Sequence, residues 1–163
     1  NGYYYLILAE GGTEYGHMVT AFRSSMPYGP YEPAPHNPIL TNRSSFQNPI
    51  QCTGHADIIE DPNGNWWMVC LGVRPVSGHL HNLGRETCLA PLTWNDRWPR
   101  VGTDGKIYET MEGPLPGGPK SVSHDTIRLT VCGSFLGHLY ETLIGISMFC
   151  RLVGFKSKDR TLG

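Results

Sequence analysis

Glu10 is the residue best placed to do chemistry in this chain. It ends an apolar segment, Tyr3-Tyr4-Tyr5-Leu6-Ile7-Leu8, and sits in Ala9-Glu10-Gly11-Gly12-Thr13. A carboxyl at the end of a buried strand is desolvated on one side. That suits a general acid, which must keep its proton near neutrality. The glycines let a substrate come close to the backbone, so Gly11 and Thr13 join Glu10 as candidate site residues. The plainer alternative is a solvated glutamate opening a turn. His55, in Gly54-His55-Ala56-Asp57, could hydrogen-bond a sugar or meet a metal, directly or through water; it could equally be structural. Arg85, in Gly84-Arg85-Glu86-Thr87, offers a fork to hydroxyls or a carboxylate, or is a surface arginine. Asp57 and Asp61 are further carboxylates. Asp61, however, belongs to Asp61-Pro62-Asn63-Gly64-Asn65, a strong turn sequence, and Asp57 lies beside His55.

Strands must position these residues. The apolar and aromatic runs predict strands over residues 3–9, 17–23, 55–60, 66–72, 85–93 and 98–101. The turn Pro27-Tyr28-Gly29-Pro30-Tyr31-Glu32 leads into a short edge strand, where proline is tolerated. Residues 33–52 read as a polar, proline-punctuated connection. The pattern repeats. Asn1-Gly2-Tyr3-Tyr4-Tyr5-Leu6 aligns with Asn63-Gly64-Asn65-Trp66-Trp67-Met68, and Tyr31-Glu32-Pro33 with Trp98-Pro99-Arg100. A repeated four-stranded antiparallel unit of this size is the mark of a β-propeller blade. Asn1-Gly2 reads as the turn of a hairpin whose first strand lies upstream, so the chain is expected to be a fragment. Two blades cannot close a ring, which takes at least about four.

Composition agrees with an all-β protein. The chain has 163 residues, with 20 glycines, 13 prolines and 10% aromatics. Its hydrophobic share of 39% supports a core. The net charge of −1 gives no electrostatic case for nucleic acid or an anionic membrane. Five cysteines cannot all pair within one chain, and no Cys-x-x-Cys points to zinc. Cys70 and Cys88 sit in apolar runs and read as small buried hydrophobes. Asn42-Arg43-Ser44 is a glycosylation sequon, usable only in a secreted protein. The organisation expected is a partial propeller over residues 1–115, then a linker and unassigned tail over 116–163. The tail's apolar run, residues 142–150, is too short to span a membrane.

Taken in series, several segments resemble glycoside hydrolase family 43, in its β-xylosidase and α-arabinofuranosidase branches. They are Ala9-Glu10-Gly11-Gly12-Thr13, His17-Met18-Val19-Thr20 with Arg23-Ser24, Pro27 to Glu32, and His36-Asn37-Pro38-Ile39-Leu40. Thr53-Gly54-His55-Ala56-Asp57, Asp61 to Trp67, Leu83-Gly84-Arg85-Glu86-Thr87 and Trp94 continue the series. The resemblance covers about residues 1–115 and implies a five-bladed β-propeller. It implies inverting hydrolysis of xylosides and arabinofuranosides, with a carbohydrate as the partner. By motif, Glu10 matches the family's acid. His55 matches a central histidine near a calcium or water site, and Arg85 an arginine that contacts the sugar. No cofactor is required, beyond a structural calcium ion in some members. The family also uses an aspartate base and a second aspartate that tunes the acid; no aspartate here matches either. The rival expectation is a carbohydrate-binding or degenerate propeller that has lost its chemistry.

Overall fold

A computed structural model describes residues 2–114 and the backbone of residues 127–130. Nine strands are defined there: β1 (Tyr4–Glu10), β2 (Met18–Ser24), β3 (Glu32–Pro33), β4 (Gln51–Glu60), β5 (Trp66–Val73), β6 (Glu86–Asn95), β7 (Trp98–Val101), β8 (Thr110–Gly113) and β9 (Ile127–Thr130). They form three antiparallel sheets, ordered β1-β2-β3, β4-β5-β6-β7 and β8-β9. The repeat seen in the sequence is therefore real: β1-β2-β3 and β5-β6-β7 are the same up-and-down path. The expected linker Pro116–Pro119 and the apolar run 142–150 lie outside the described residues. Only β9 is described within the tail, and it pairs with β8.

The two units differ in one strand. β5 is hydrogen-bonded on both sides, to β4 and β6, whereas β1 has β2 alone among the described strands. Burial follows pairing. β5 buries Trp67, Met68, Cys70 and Val73, while β1 buries only Tyr5. The strand expected to be buried is thus half-buried, and Glu10 at its end is exposed. Among the described strands none flanks β1 on its other side, which leaves this end of the strand open.

β4 also departs from expectation. It begins at Gln51 rather than at residue 55, because it runs on through two irregularities, between Gln51 and Gly54 and between Gly54 and Asp57. Cys52 and His55 there both have φ of 55°. Positive φ is uncommon for non-glycine residues, and bulges break the two-residue period by which a strand is read from sequence.

The core lies between the two larger sheets, with Val19, Ala21, Leu40, Ile50, Met68 and Val101 inside. An aromatic and arginine seam closes one end. Tyr5 packs at a tilt against Trp94, ring centres 4.9 Å apart, and Trp94 meets Trp66 edge-on at 5.2 Å. The Tyr5 hydroxyl donates to the Arg97 carbonyl at 2.6 Å. Arg23 lies over the rings of Tyr3 and Trp98, pairs with Glu32 at 2.6 Å, and donates to the Asp96 carbonyl at 2.8 Å. The Asp96–Arg97 turn can receive these bonds because both residues have positive φ, the geometry of a two-residue hairpin that follows strand twist.

Buried amides fix the long connection. Asn37 donates from Nδ2 to the Ala21 carbonyl and accepts from the Ala21 N–H, both at 2.9 Å, in place of a strand neighbour. Asn42 is fully buried. Its Nδ2 donates to the carbonyls of Ile50 and Ile107, and its Oδ1 accepts from the Ile107 N–H. The sequon asparagine is therefore a structural crosslink whose amide protons are both in use. Asp61 is the organiser of its turn. It accepts from the backbone of Asn63 and Asn65, from Asn65 Nδ2 and from Trp67 Nε1, between 2.8 and 3.1 Å. Cys70 is free and buried, and burial pushes its thiol up to about 12. Cys88 is buried, as expected of a small buried hydrophobe, but it is disulfide-bonded, which its apolar surroundings in the sequence did not indicate.

Candidate active site

β1 ends at Glu10 and the chain turns back into β2 through residues 11–17. Gly11, at φ 74°, lets the loop close: a side chain there would overlap the Gly16 carbonyl. Gly11 therefore has a structural task whether or not a substrate meets it. Thr13 is exposed on the same loop. In the hairpin Leu8 lies opposite Thr20 and Glu10 opposite Met18, so Thr20 is the diagonal neighbour of Glu10 on one face. The Thr20 hydroxyl donates to Glu10 Oε2 at 2.6 Å, a charge-assisted bond when the carboxyl is ionised.

The loop then delivers His17 to the second sheet. Its ring is buried, and Nδ1 lies 3.2 Å from the Cys52 carbonyl. Gly54 makes room for it, since any side chain at Gly54 would overlap the His17 ring. Burial pushes the His17 pKa down, the Cys52 carbonyl opposes this, and the charges of His55 and Arg85 push it further down.

His55 is exposed on the bulged start of β4. Arg85 is exposed one residue before β6, where Glu86 pairs with Gly72 at the end of β5. Arg74 and Glu86 form a two-pronged ion pair at 2.6 and 2.8 Å, which ties the loop carrying Arg85 back to β5. The β1–β2 loop, the start of β4 and the β5–β6 loop thus converge at the end opposite the aromatic seam. A cavity of about 350 Å³ opens beside them, lined by Tyr15, Phe46, Gln51, Val76 and His79 among others. Glu10, His55 and Arg85 do not line it. Asp61 sits in its turn, as its sequence suggested, and is not brought to this end. The reading from sequence did not single out Thr20 or His17. The only sign of them was their place in the segment His17 to Thr20, since a diagonal contact and a ring over a glycine depend on register.

Among the described residues, no group of three or more His, Cys, Asp or Glu side chains could hold a metal ion.

Two antiparallel up-and-down sheets packed against each other, with polar side chains from three loops at one end, are the blade-like units that the sequence repeat predicts. The family model for glycosyl hydrolases family 43 matches residues 1–99. A non-reducing end alpha-L-arabinofuranosidase of Bacteroides ovatus is 54% identical over 113 residues, covering 69% of this chain and 21% of that protein. A beta-xylosidase of Bacillus subtilis is 38% identical over 135 residues, covering 76% of this chain and 25% of that protein. Among solved structures, the Bacteroides ovatus xyloglucan-locus GH43B protein superposes with a TM-score of 0.68 at 47% identity, over 76% of this chain and 25% of that one. A xylan beta-1,4-xylosidase from Bacillus halodurans gives 0.62 at 40% identity, over 65% of this chain and 20% of that one. The chain belongs to glycosyl hydrolases family 43, and its fold is part, about two blades, of the five-bladed propeller. It spans 21% and 25% of the lengths of the two relatives named first.

Proposed function

We propose that this chain carries the general acid of a glycosidase that hydrolyses xylosides or arabinofuranosides with inversion. The observation that carries the reading is Glu10: an exposed carboxyl at a strand end, held by Thr20, inside the family-matched residues. In this reading Glu10 gives its proton to the glycosidic oxygen as the bond from that oxygen to the anomeric carbon breaks. Water forms the new bond to that carbon and loses its proton to an aspartate base. In this reading that base and the tuning aspartate are supplied from outside these 163 residues, since no aspartate here matches either family motif. Inversion needs acid and base on opposite faces of the sugar, about 6.5–9.5 Å apart, with the water between them. Arg85, His55, Gly11 and Thr13 are read as sugar contacts. An ion at His55, met directly or through water, would take its remaining ligands from outside the described side chains.

The test is the anomer first released by the full-length protein from aryl β-xylosides and α-arabinofuranosides, followed by NMR before mutarotation. The expected product is inverted, and Glu10→Gln lowers turnover by about 10²–10⁴-fold, the usual scale of general acid catalysis. Retention of configuration, or turnover indifferent to Glu10→Gln, would overturn the reading.

A further inference from the structure

We infer that Thr20 is the positioning residue that decides which oxygen of Glu10 carries the proton. The inference rests on the reading of Glu10 as the acid. A general acid must hold its proton on the oxygen that faces the leaving group. The two oxygens of a free carboxyl are equivalent, so something must distinguish them. Here the distinction is made by one bond: Thr20 Oγ1 donates to Oε2 at 2.6 Å. An oxygen that already accepts an O–H is the poorer place for the acid's own proton. The proton therefore rests on Oε1, and Oε2 keeps the carbonyl character. When Oε1 gives up its proton to the glycosidic oxygen, the negative charge spreads onto Oε2. The Thr20 bond then becomes charge-assisted and strengthens as the transition state forms, which is where a contact must act to raise turnover.

The surroundings make this bond durable. Thr20 is only 6% exposed, between buried Val19 and Ala21, so its side chain is fixed by the sheet. A β-branched side chain in a strand has few rotamers to choose from. Glu10, by contrast, is exposed on a longer and freer side chain. The rigid partner thus orients the mobile one. The loop supports the pairing, since the Gly11–Gly16 contact fixes the length of the turn and hence the register that sets Thr20 diagonal to Glu10.

The test uses the full-length protein with Thr20→Val and Thr20→Ser, assayed beside Glu10→Ala on two substrates. One has a poor leaving group such as an alkyl alcohol, and the other an activated one such as dinitrophenol. Thr20→Val keeps shape and strand preference but loses the hydroxyl. It is expected to slow the poor-leaving-group substrate by about 10–100-fold, the scale of a lost hydrogen bond to a charged group. The activated substrate should slow far less, and Thr20→Ser should recover most of the loss. Folded fraction is matched by circular dichroism. Equal losses on both substrates for Thr20→Val, with Glu10→Ala still discriminating between them, would overturn the role of Thr20 and leave the acid reading standing. Equal losses for Glu10→Ala would remove the acid reading and this inference with it.

Discussion

β1 and β5 are the same strand of the repeat, and they have different fates. Tyr4 and Tyr5 align with Trp66 and Trp67, yet Trp67 is enclosed on both flanks of its strand while β1 has a partner on one side only among the described strands. The ends differ too. Where β1 finishes in Glu10 and a loop pinched by two glycines, the aligned position in β5 is Gly72, packed against Ile50 and Cys88. A repeat thus supplies the frame twice, and the carboxyl proposed as the acid stands at one strand end of one copy only. The second copy contributes by packing: Gly54 receives His17, and the Asp96–Arg97 turn receives Tyr5 and Arg23.

The largest effect is expected where the units join beneath the site. Gly54→Ala forces a methyl into the buried His17 ring, whose Nδ1 is held at the Cys52 carbonyl. Overpacking of this kind costs up to about 3 kcal/mol. Urea unfolding of the full-length protein, followed by tryptophan fluorescence, should register most of that loss. A change below about 0.5 kcal/mol, the range of an ordinary surface substitution, would mean that the two units are not joined through this contact.

A smaller effect sharpens the contrast within the second unit. Burial alone raises the Asp61 pKa, but the bonds from Asn65, Trp67 and Asn63 outweigh it and hold the carboxyl below the usual range. A carboxylate lowered on folding contributes stability that is complete above its unfolded value. That stability is lost as pH falls through the folded one. The stability of the chain should therefore drop below about pH 4, the ordinary aspartate value, and Asp61→Asn should flatten that drop while costing about 1–2 kcal/mol at neutral pH. Denaturant midpoints across pH 2 to 6, about the span over which carboxylates titrate, check both. An unchanged acid limb in Asp61→Asn would move the pH dependence elsewhere.

The smallest expected effect is at the seam. Tyr5→Phe removes one hydroxyl bond to the Arg97 carbonyl and keeps the ring on Trp94. The cost should be about 1 kcal/mol, with turnover unaffected because the seam lies at the end away from Glu10. A loss of turnover without a loss of stability would contradict the separation of frame from site.

Much of this frame was legible in the residues. The hairpin at Asp61–Asn65 was readable because its turn residues have one common use, and the alignment of Tyr4 and Tyr5 with Trp66 and Trp67 carried the repeat. The start of β4 was not readable. Gly54 imitates a strand boundary in the sequence, and the positive φ of Cys52 and His55, by which the strand runs on through two irregularities, has no local signature. Burial of β1 was misjudged because apolar sequence reports what a strand can bury, and the neighbour decides whether it does. Asn42 matched a sequon triplet but is a crosslink, since its partners Ile50 and Ile107 are set by the fold. Glu10 stands out in the sequence by its motif, and Thr20 does not, because nothing in local sequence states which residue lies diagonal across a hairpin.

The most direct test of the central claim is Glu10→Ala in the full-length protein, compared across leaving groups at matched folded fraction. A sugar or alkoxide needs a proton as it departs, whereas dinitrophenolate leaves without one. If Glu10 is the acid, turnover of the poor-leaving-group substrate falls by about 10²–10⁴-fold, and turnover of the dinitrophenyl substrate falls much less. Equal losses on both would contradict the claim and reduce Glu10 to a residue of the frame.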